Sequence, residues 1–208
     1  MHAFKYHRPS SLNDAAALAK GEAKLLAGGQ TLVQTMKLRL ASPSDIIDLG
    51  TIGGSLANND PAADYPAAVL ALNATITTNK GKHEADKFFK GMFETALKPG
   101  EIITAVAFQA PKRAAYMKFK NPASRFAIVG VFVADFGGSV RVAVTGAGPV
   151  VFRQADMEKA LAAKFAPESV AGIKVKQDGL NSDMHASAEY RAHLVTVMAR
   201  RAVEAALK

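Results

Sequence analysis

The sequence predicts an α+β protein whose two halves differ in texture. Three observations carry this. Residues 1–49 alternate short apolar strands with helical periodicity, the pattern of a small α/β unit. Beyond Pro111 the chain turns rich in Val, Ile, Phe and Tyr, in runs broken by Gly137-Gly138. It then closes on a long amphipathic helix.

The elements follow in order. Ser10-Ser11-Leu12 ahead of residues 13–20 predicts a capped helix closed by Gly21, because Ser or Asn accepts from the free N–H groups of a first turn. Lys24 to Ala27 is a short apolar strand that runs into Gly28-Gly29. Leu32, Val33, Met36 and Leu40 recur at helical spacing until Pro43, and Asp45 to Leu49 is another strand. Thr51-Ile52-Gly53-Gly54-Ser55 is expected to be a second glycine turn, followed by the polar stretch Asn58-Asn59-Asp60-Pro61. Residues 66–72 suit a helical turn, and residues 74–78 and 101–108 suit strands.

After Pro111, residues 114–120, 127–136 and 139–145 are expected strands, the last two joined as a hairpin by Gly137-Gly138. Residues 154–165 form a helix. Residues 186–207 form a longer one, with Tyr190, Leu194, Val197, Met198, Ala202 and Ala205 on one face. The expectation is a three-stranded antiparallel sheet covered by helices. It forms a domain over 111–208, after a domain over 1–110 made of two parts, 1–49 and 50–110.

Composition narrows the function. The chain has 208 residues, 49% hydrophobic and 21% charged, which excludes global disorder and allows a core without staples. Cysteine is absent, so disulfides, thiolate zinc sites, iron–sulfur ligation and cysteine nucleophiles are excluded together. The net charge is +8, and residues 111–208 hold most of it, with 15 Lys/Arg against 8 Asp/Glu. These charges are not interleaved with aromatics and no nucleic-acid motif occurs, so the expectation is a solvated surface and no nucleic acid. Residues 1–10 lack an apolar signal core and no apolar run approaches a membrane span, so a cytoplasmic, soluble protein is expected.

The histidines, His2, His7, His83, His185 and His193, never pair at helical spacing, which leaves a metal without an anchor. There is no Gly-x-Ser-x-Gly elbow, and neither glycine pair is followed by Lys-Ser/Thr, so a serine hydrolase and a P-loop are unsupported. Asp45 and Asp48 flank a strand, and Asp60 and Asp64 sit where Asp commonly forms turns. What remains is the pair of glycine motifs. Backbone N–H groups at such turns face outward, a helix N-terminus carries partial positive charge, and Gly lets a phosphate oxygen approach the main chain. Two motifs in one small unit point to a diphosphate held from two sides, as in a dinucleotide.

Three stretches carry a resemblance. They are Lys24 to Leu32, Met36-Lys37-Leu38-Arg39, and Thr51 to Asp64 (TIGGSLANNDPAAD). It continues through Leu97-Lys98-Pro99-Gly100-Glu101-Ile102-Ile103, residues 118–131 and Ala186-Ser187-Ala188-Glu189-Tyr190-Arg191. Together they resemble the FAD-binding subunit of molybdenum hydroxylases, most of all the medium subunit of the aerobic carbon monoxide dehydrogenase type, over nearly the whole chain. The resemblance implies an FAD-binding domain of the vanillyl-alcohol-oxidase (PCMH) type, then an α+β C-terminal domain. It implies that Leu25, Leu26, Ala27, Gly28, Gly29, Gln30, Thr31 and Leu32, with Thr51, Ile52, Gly53, Gly54 and Ser55, wrap the FAD pyrophosphate. Asp64 would accept hydrogen bonds from a polar part of FAD, Ile103 would pack near it and Lys118 would add a cation. Tyr116 is expected to be sheet packing. The implied partners are an iron–sulfur small subunit and a molybdopterin large subunit, with electrons passing from molybdenum through the clusters to FAD and then to an external acceptor. A chain without cysteine suits a flavin and none of those other centres.

One departure stands out. The family has a long stretch between the two glycine motifs, whereas here Leu49 is followed almost directly by Thr51. The resemblance implies that this stretch supplies strands, a helix and FAD contacts, so weakened or lost FAD binding is expected. Two further readings stay open: a truncated subunit acting only as an interaction module, and a stand-alone flavin oxidase.

Overall fold

A computed structural model describes residues 4–8, 14, 17–18, 20–26, 36, 44–48 and 51–208. Strands β1 (Lys5–His7), β2 (Lys24–Leu26) and β3 (Asp45–Asp48) form a parallel sheet in the order β1-β3-β2. Lys24 to Leu26 pair with Ile46 to Asp48. The helices expected over 13–20 and 30–40, and the turn at Gly28-Gly29, lie mostly outside the described residues; Asp14, Ala17, Leu18 and Met36 are helical.

The expected second glycine turn is instead the start of helix α1 (Thr51–Asn58). Ile52 and Leu56 lie one turn apart and both reach the core, where Leu56 is fully buried. That apolar pair overrides the turn preference of Gly53-Gly54. Helix α2 (Tyr65–Ala71) follows, with Pro66 in its first turn, where a missing N–H costs nothing. Strands β4 (Thr75–Thr78) and β5 (Gly81–Glu84) form a hairpin. After the short helix α3 (Ala85–Phe88) come β6 (Phe89–Gly91) and β7 (Glu94–Thr95), a small ribbon. Strand β8 (Ile103–Ala107) then returns to pair with β4, giving the antiparallel order β5-β4-β8.

The C-terminal half is built on strands β9 (Arg113–Lys120), β10 (Ala127–Asp135) and β11 (Val140–Thr145). These are the three expected strands. A two-residue strand, β12 (Phe152–Arg153), makes the order β12-β11-β10-β9. The hairpin between β10 and β11 turns at Gly137, whose φ of 83° suits glycine. Helices α4 (Ala155–Ala163), α5 (Glu168–Ala171) and α6 (Ala188–Ala206) complete the chain. Ser187 caps α6 by accepting from the Tyr190 N–H.

The four-stranded sheet is covered on both faces. Val129, Val131, Val133, Val142 and Val144 face α6 with Leu194, Val195 and Met198. Ala134, Ala143, Phe132 and Tyr116 face the other way, toward Leu56, Val69, Ile76 and Phe88. A sheet buried on both faces reads as a continuous apolar run, as β10 does. The active face of α6 differs from expectation. Tyr190 and Ala205 are exposed, while Arg191, Val195 and Ala199 are inside. Arg191 is accommodated because Nη1 donates to the Ile128 and Gly146 carbonyls and Nη2 pairs with Asp183.

Candidate functional site

The site begins at α1. This helix lies against β2, the strand that leads to Gly28-Gly29, and against β8. The second glycine motif therefore lies against the strand that precedes the first motif in the sequence. The first N–H groups of a helix lack intrahelical partners and carry partial positive charge. No acidic side chain occupies the first turn of α1 to neutralise them. Packing among the described residues does not call for glycine at 53. A methyl there would meet the Ile103 Cβ and carbonyl oxygen at 3.8 Å, an ordinary contact. Glycine inside a helix costs about 1 kcal/mol relative to alanine. Packing against Ile103 therefore does not account for the glycine at 53.

A second cluster gathers on β9. Asp64 occupies the N-cap of α2, yet its side chain makes no capping bond. Its carboxylate instead accepts from the Tyr116 hydroxyl at 2.5 Å and from Lys118 Nζ at 2.6 Å. Tyr116 and Lys118 share a face of β9 because they are two residues apart. Opposite them on β10 stand Phe132 and Gly130. The Tyr116 ring stacks on Phe132, with centroids 6.1 Å apart and planes 26° from parallel. Burial, then the hydrogen bond and charge of Asp64, push the Tyr116 phenol far above its usual range, so it stays a neutral donor. The Asp64 side chain remains 45% exposed and that of Lys118 25%, so both can meet a ligand.

These two clusters hold the expected residues that the structure describes. Gly53 faces Ile103, and Asp64 and Lys118 form an ion pair; no hydrogen bond or ion pair joins one cluster to the other among the described residues. Thr51, Ile52, Gly54 and Ser55 lie in α1 rather than in a turn. Leu25 and Leu26 lie in β2, and Ala27 to Leu32 fall outside the described residues. Tyr116 packs on the sheet as expected but also binds Asp64, a role that sequence reasoning missed. The usable signal was the Tyr-x-Lys spacing on a strand. Two open clefts, of about 450 and 540 Å³, contain none of the expected site residues. No group of His, Asp and Glu able to hold a metal occurs among the described residues.

The residues present fit FAD. An unneutralised helix N-terminus suits its phosphates, and an ammonium beside a half-exposed carboxylate suits polar groups of its sugar or rings. Comparisons with known proteins agree. The family described as the FAD binding domain in molybdopterin dehydrogenase matches residues 2–50 and 48–111. The CO dehydrogenase flavoprotein C-terminal domain matches residues 114–206. The chain is 31% identical to the nicotine 6-hydroxylase medium subunit of Paenarthrobacter nicotinovorans, over 97% of this chain and 96% of that one. It is 29% identical to the carbon monoxide dehydrogenase medium chain of Afipia carboxidovorans, over 98% and 96%. The structure of reconstituted CO dehydrogenase from Oligotropha carboxidovorans superposes with a TM-score of 0.81 at 27% identity, covering 99% of this chain and 98% of that one. Quinoline 2-oxidoreductase from Pseudomonas putida 86 shares the fold, with a TM-score of 0.82 at 23% identity over 99% and 97%.

The shortening is also visible. The alignment with the nicotine hydroxylase subunit spans 272 positions against 208 residues here, so several dozen positions have no counterpart in this chain. The domain match breaks in two at 48–50. With both domain families matched in order along the chain, this protein belongs to the FAD-binding medium subunits of molybdenum hydroxylases of the CO dehydrogenase type.

Proposed function

We propose that the chain serves a three-part molybdenum hydroxylase as its flavin subunit. It would take electrons from clusters on an iron–sulfur small subunit, fed in turn by a molybdopterin large subunit, and pass them to an external acceptor. The observation that carries this is the seat of α1 against β2. It supports a shared phosphate site despite the shortening between residues 48 and 51. FAD, when bound, supplies all the redox chemistry.

The residues of this chain do the rest. The N–H groups at the start of α1 receive phosphate charge. Lys118 adds a cation beside Asp64. Asp64 accepts from hydroxyl or amino groups of the ligand through its exposed side. Ile103 walls the site beside Gly53 and keeps water from that side. No acid or base is required of the protein. The missing positions contribute no contacts, so affinity is expected below that of relatives with the full stretch.

A second reading has its own observation. The break in the domain match at 48–50 favours a subunit that keeps its C-terminal half as an interaction module without flavin. Reconstitution decides between them. The flavin reading expects a bound flavin spectrum near one per chain and a raised melting temperature on adding FAD. Co-purification with partner subunits and no bound flavin, even after FAD is added, would overturn it in favour of the module.

A further inference from the structure

We propose that Tyr116 is a positioning residue of the cofactor site: its hydroxyl fixes the direction in which Asp64 presents its carboxylate to FAD. This rests on the flavin reading above.

The first support is what Asp64 does not do. An Asp at an N-cap ordinarily accepts from the first-turn N–H groups of its own helix, worth about 1 kcal/mol. Asp64 has helical backbone angles, φ −78° and ψ −39°, and makes no such bond. Its direction is therefore set from elsewhere in the fold.

The second is the pair of donors. One carboxylate oxygen receives Tyr116 and the other receives Lys118. An ammonium on a flexible stem has three rotatable donors and constrains a carboxylate poorly. A phenol has one donor and a rigid ring. That ring is held by Phe132 on the neighbouring strand. Of the two donors, Tyr116 is the one whose own position is fixed by packing. The phenol stays neutral, so it orients Asp64 without altering the charge balance of the Asp64–Lys118 pair.

The third is Gly130. It faces the cluster from the middle of β10, where glycine weakens a strand. A Cβ at this position would overlap the Tyr116 hydroxyl, approach its Cζ at 2.8 Å and Thr145 Cγ2 at 2.9 Å. The absence of a side chain there opens the space that the hydroxyl occupies on its way to Asp64. Position 130 and position 116 act as one device.

The test is a double-substitution cycle on the full chain, read by FAD titration. Tyr116→Phe is expected to weaken FAD binding about tenfold, the loss of one hydrogen bond to a charged group. Asp64→Ala is expected to weaken it further. Tyr116→Phe added to Asp64→Ala is expected to change nothing more, which a merely structural role would not produce. Gly130→Ala, whose methyl displaces the hydroxyl, is expected to lower affinity in the same direction as Tyr116→Phe. Wild-type affinity in Tyr116→Phe, or its full effect persisting without Asp64, would overturn the proposal. If the wild-type chain binds no FAD, the flavin reading fails on its own. The cofactor role of Tyr116 falls with it, and the same cycle in urea unfolding of the apoprotein judges the Tyr116–Asp64 coupling alone. Non-additivity supports the Tyr116–Asp64 coupling, and additivity overturns it.

Discussion

Asp64 stands at the head of α2 and its carboxylate accepts from Lys118, 54 residues later on strand β9. The pair is partly exposed on both sides, and such ion pairs contribute little to stability. Its value lies in what it presents. Lys118→Met is therefore expected to move the unfolding free energy by under about 1 kcal/mol. FAD affinity is expected to drop by about tenfold or more, since a charge contact with the ligand is lost. Urea unfolding and flavin titration of one preparation check both halves. A large stability loss with unchanged affinity would show the pair to be scaffolding.

Gly53 separates ligand from fold in the opposite sense. Adding a methyl meets only ordinary contacts with Ile103. It also removes the helix penalty of glycine, about 1 kcal/mol. Gly53→Ala is expected to leave the apoprotein equally or more stable and to weaken FAD binding, because the methyl intrudes where phosphate approaches. Melting curves with and without FAD test this. The stabilisation by FAD should shrink while the apo transition holds or rises.

How much of this was legible in the sequence depends on distance along the chain. The Gly137-Gly138 hairpin was legible because one local pair dictates it. The start of α1 was not, because the Gly53-Gly54 pair outweighed the Ile52–Leu56 spacing until the core that receives Leu56 was known. Strand β12 has two residues, too few to show a period. On α6 the apolar rule placed Tyr190 on the inward face and left Arg191 out of it. The structure does the reverse, since the carbonyls of Ile128 and Gly146 await a donor. The Tyr116–Asp64 bond joins residues 52 apart, so the Tyr-x-Lys spacing marks a shared strand face but not its partner. The family resemblance proposes Asp64 and Lys118 as cofactor residues, whereas the Pro-containing loop alone reads Asp64 as a turn former.

Acid sensitivity should centre on Glu101. Its carboxylate accepts from Thr78 Oγ1 at 2.6 Å, His83 Nε2 at 2.8 Å and the Lys98 N–H at 2.9 Å. Those bonds, Thr78 first, lower its pKa from 4.5 to about 2. A carboxyl depressed in the folded state contributes stability that is fully present above its unfolded pKa. That contribution is lost as pH falls from about 4.5 toward 2. Asp135 works in the same sense. Burial opposes its charge, but the Gly137 N–H and Arg113 hold its carboxyl below the ordinary value. Glu101→Gln is expected to cost stability at neutral pH and to flatten the decline through this window. Urea midpoints measured from pH 6 down to pH 2 check the slope; an unchanged slope would assign the acid sensitivity to other groups.

Arg191 should be the costliest surface-type residue to replace. It is 4% exposed, and its guanidinium bonds two carbonyls and Asp183. The Gly146 carbonyl belongs to a residue with φ of 80°, packed so close to the Ala127 and Ile128 carbonyls that no side chain fits. Arg191 thus ties α6 to the ends of β10 and β11 at a point where the backbone has no alternative path. Arg191→Met keeps most of the apolar volume and removes the donors. It takes the Arg191 donor from the Ile128 carbonyl, at about 1–3 kcal/mol, and leaves the Gly146 carbonyl with the longer 3.4 Å bond from Asn181 Nδ2. The Asp183 carboxyl is also relieved of its partner. A loss of about 3 kcal/mol or more in urea unfolding is expected. Because Arg191 makes no bond to Asp64, Tyr116 or Lys118, FAD affinity of the folded fraction should stay within about twofold, a difference below 0.5 kcal/mol. An affinity loss that tracks the stability loss would mean that the C-terminal sheet and the cofactor site open together.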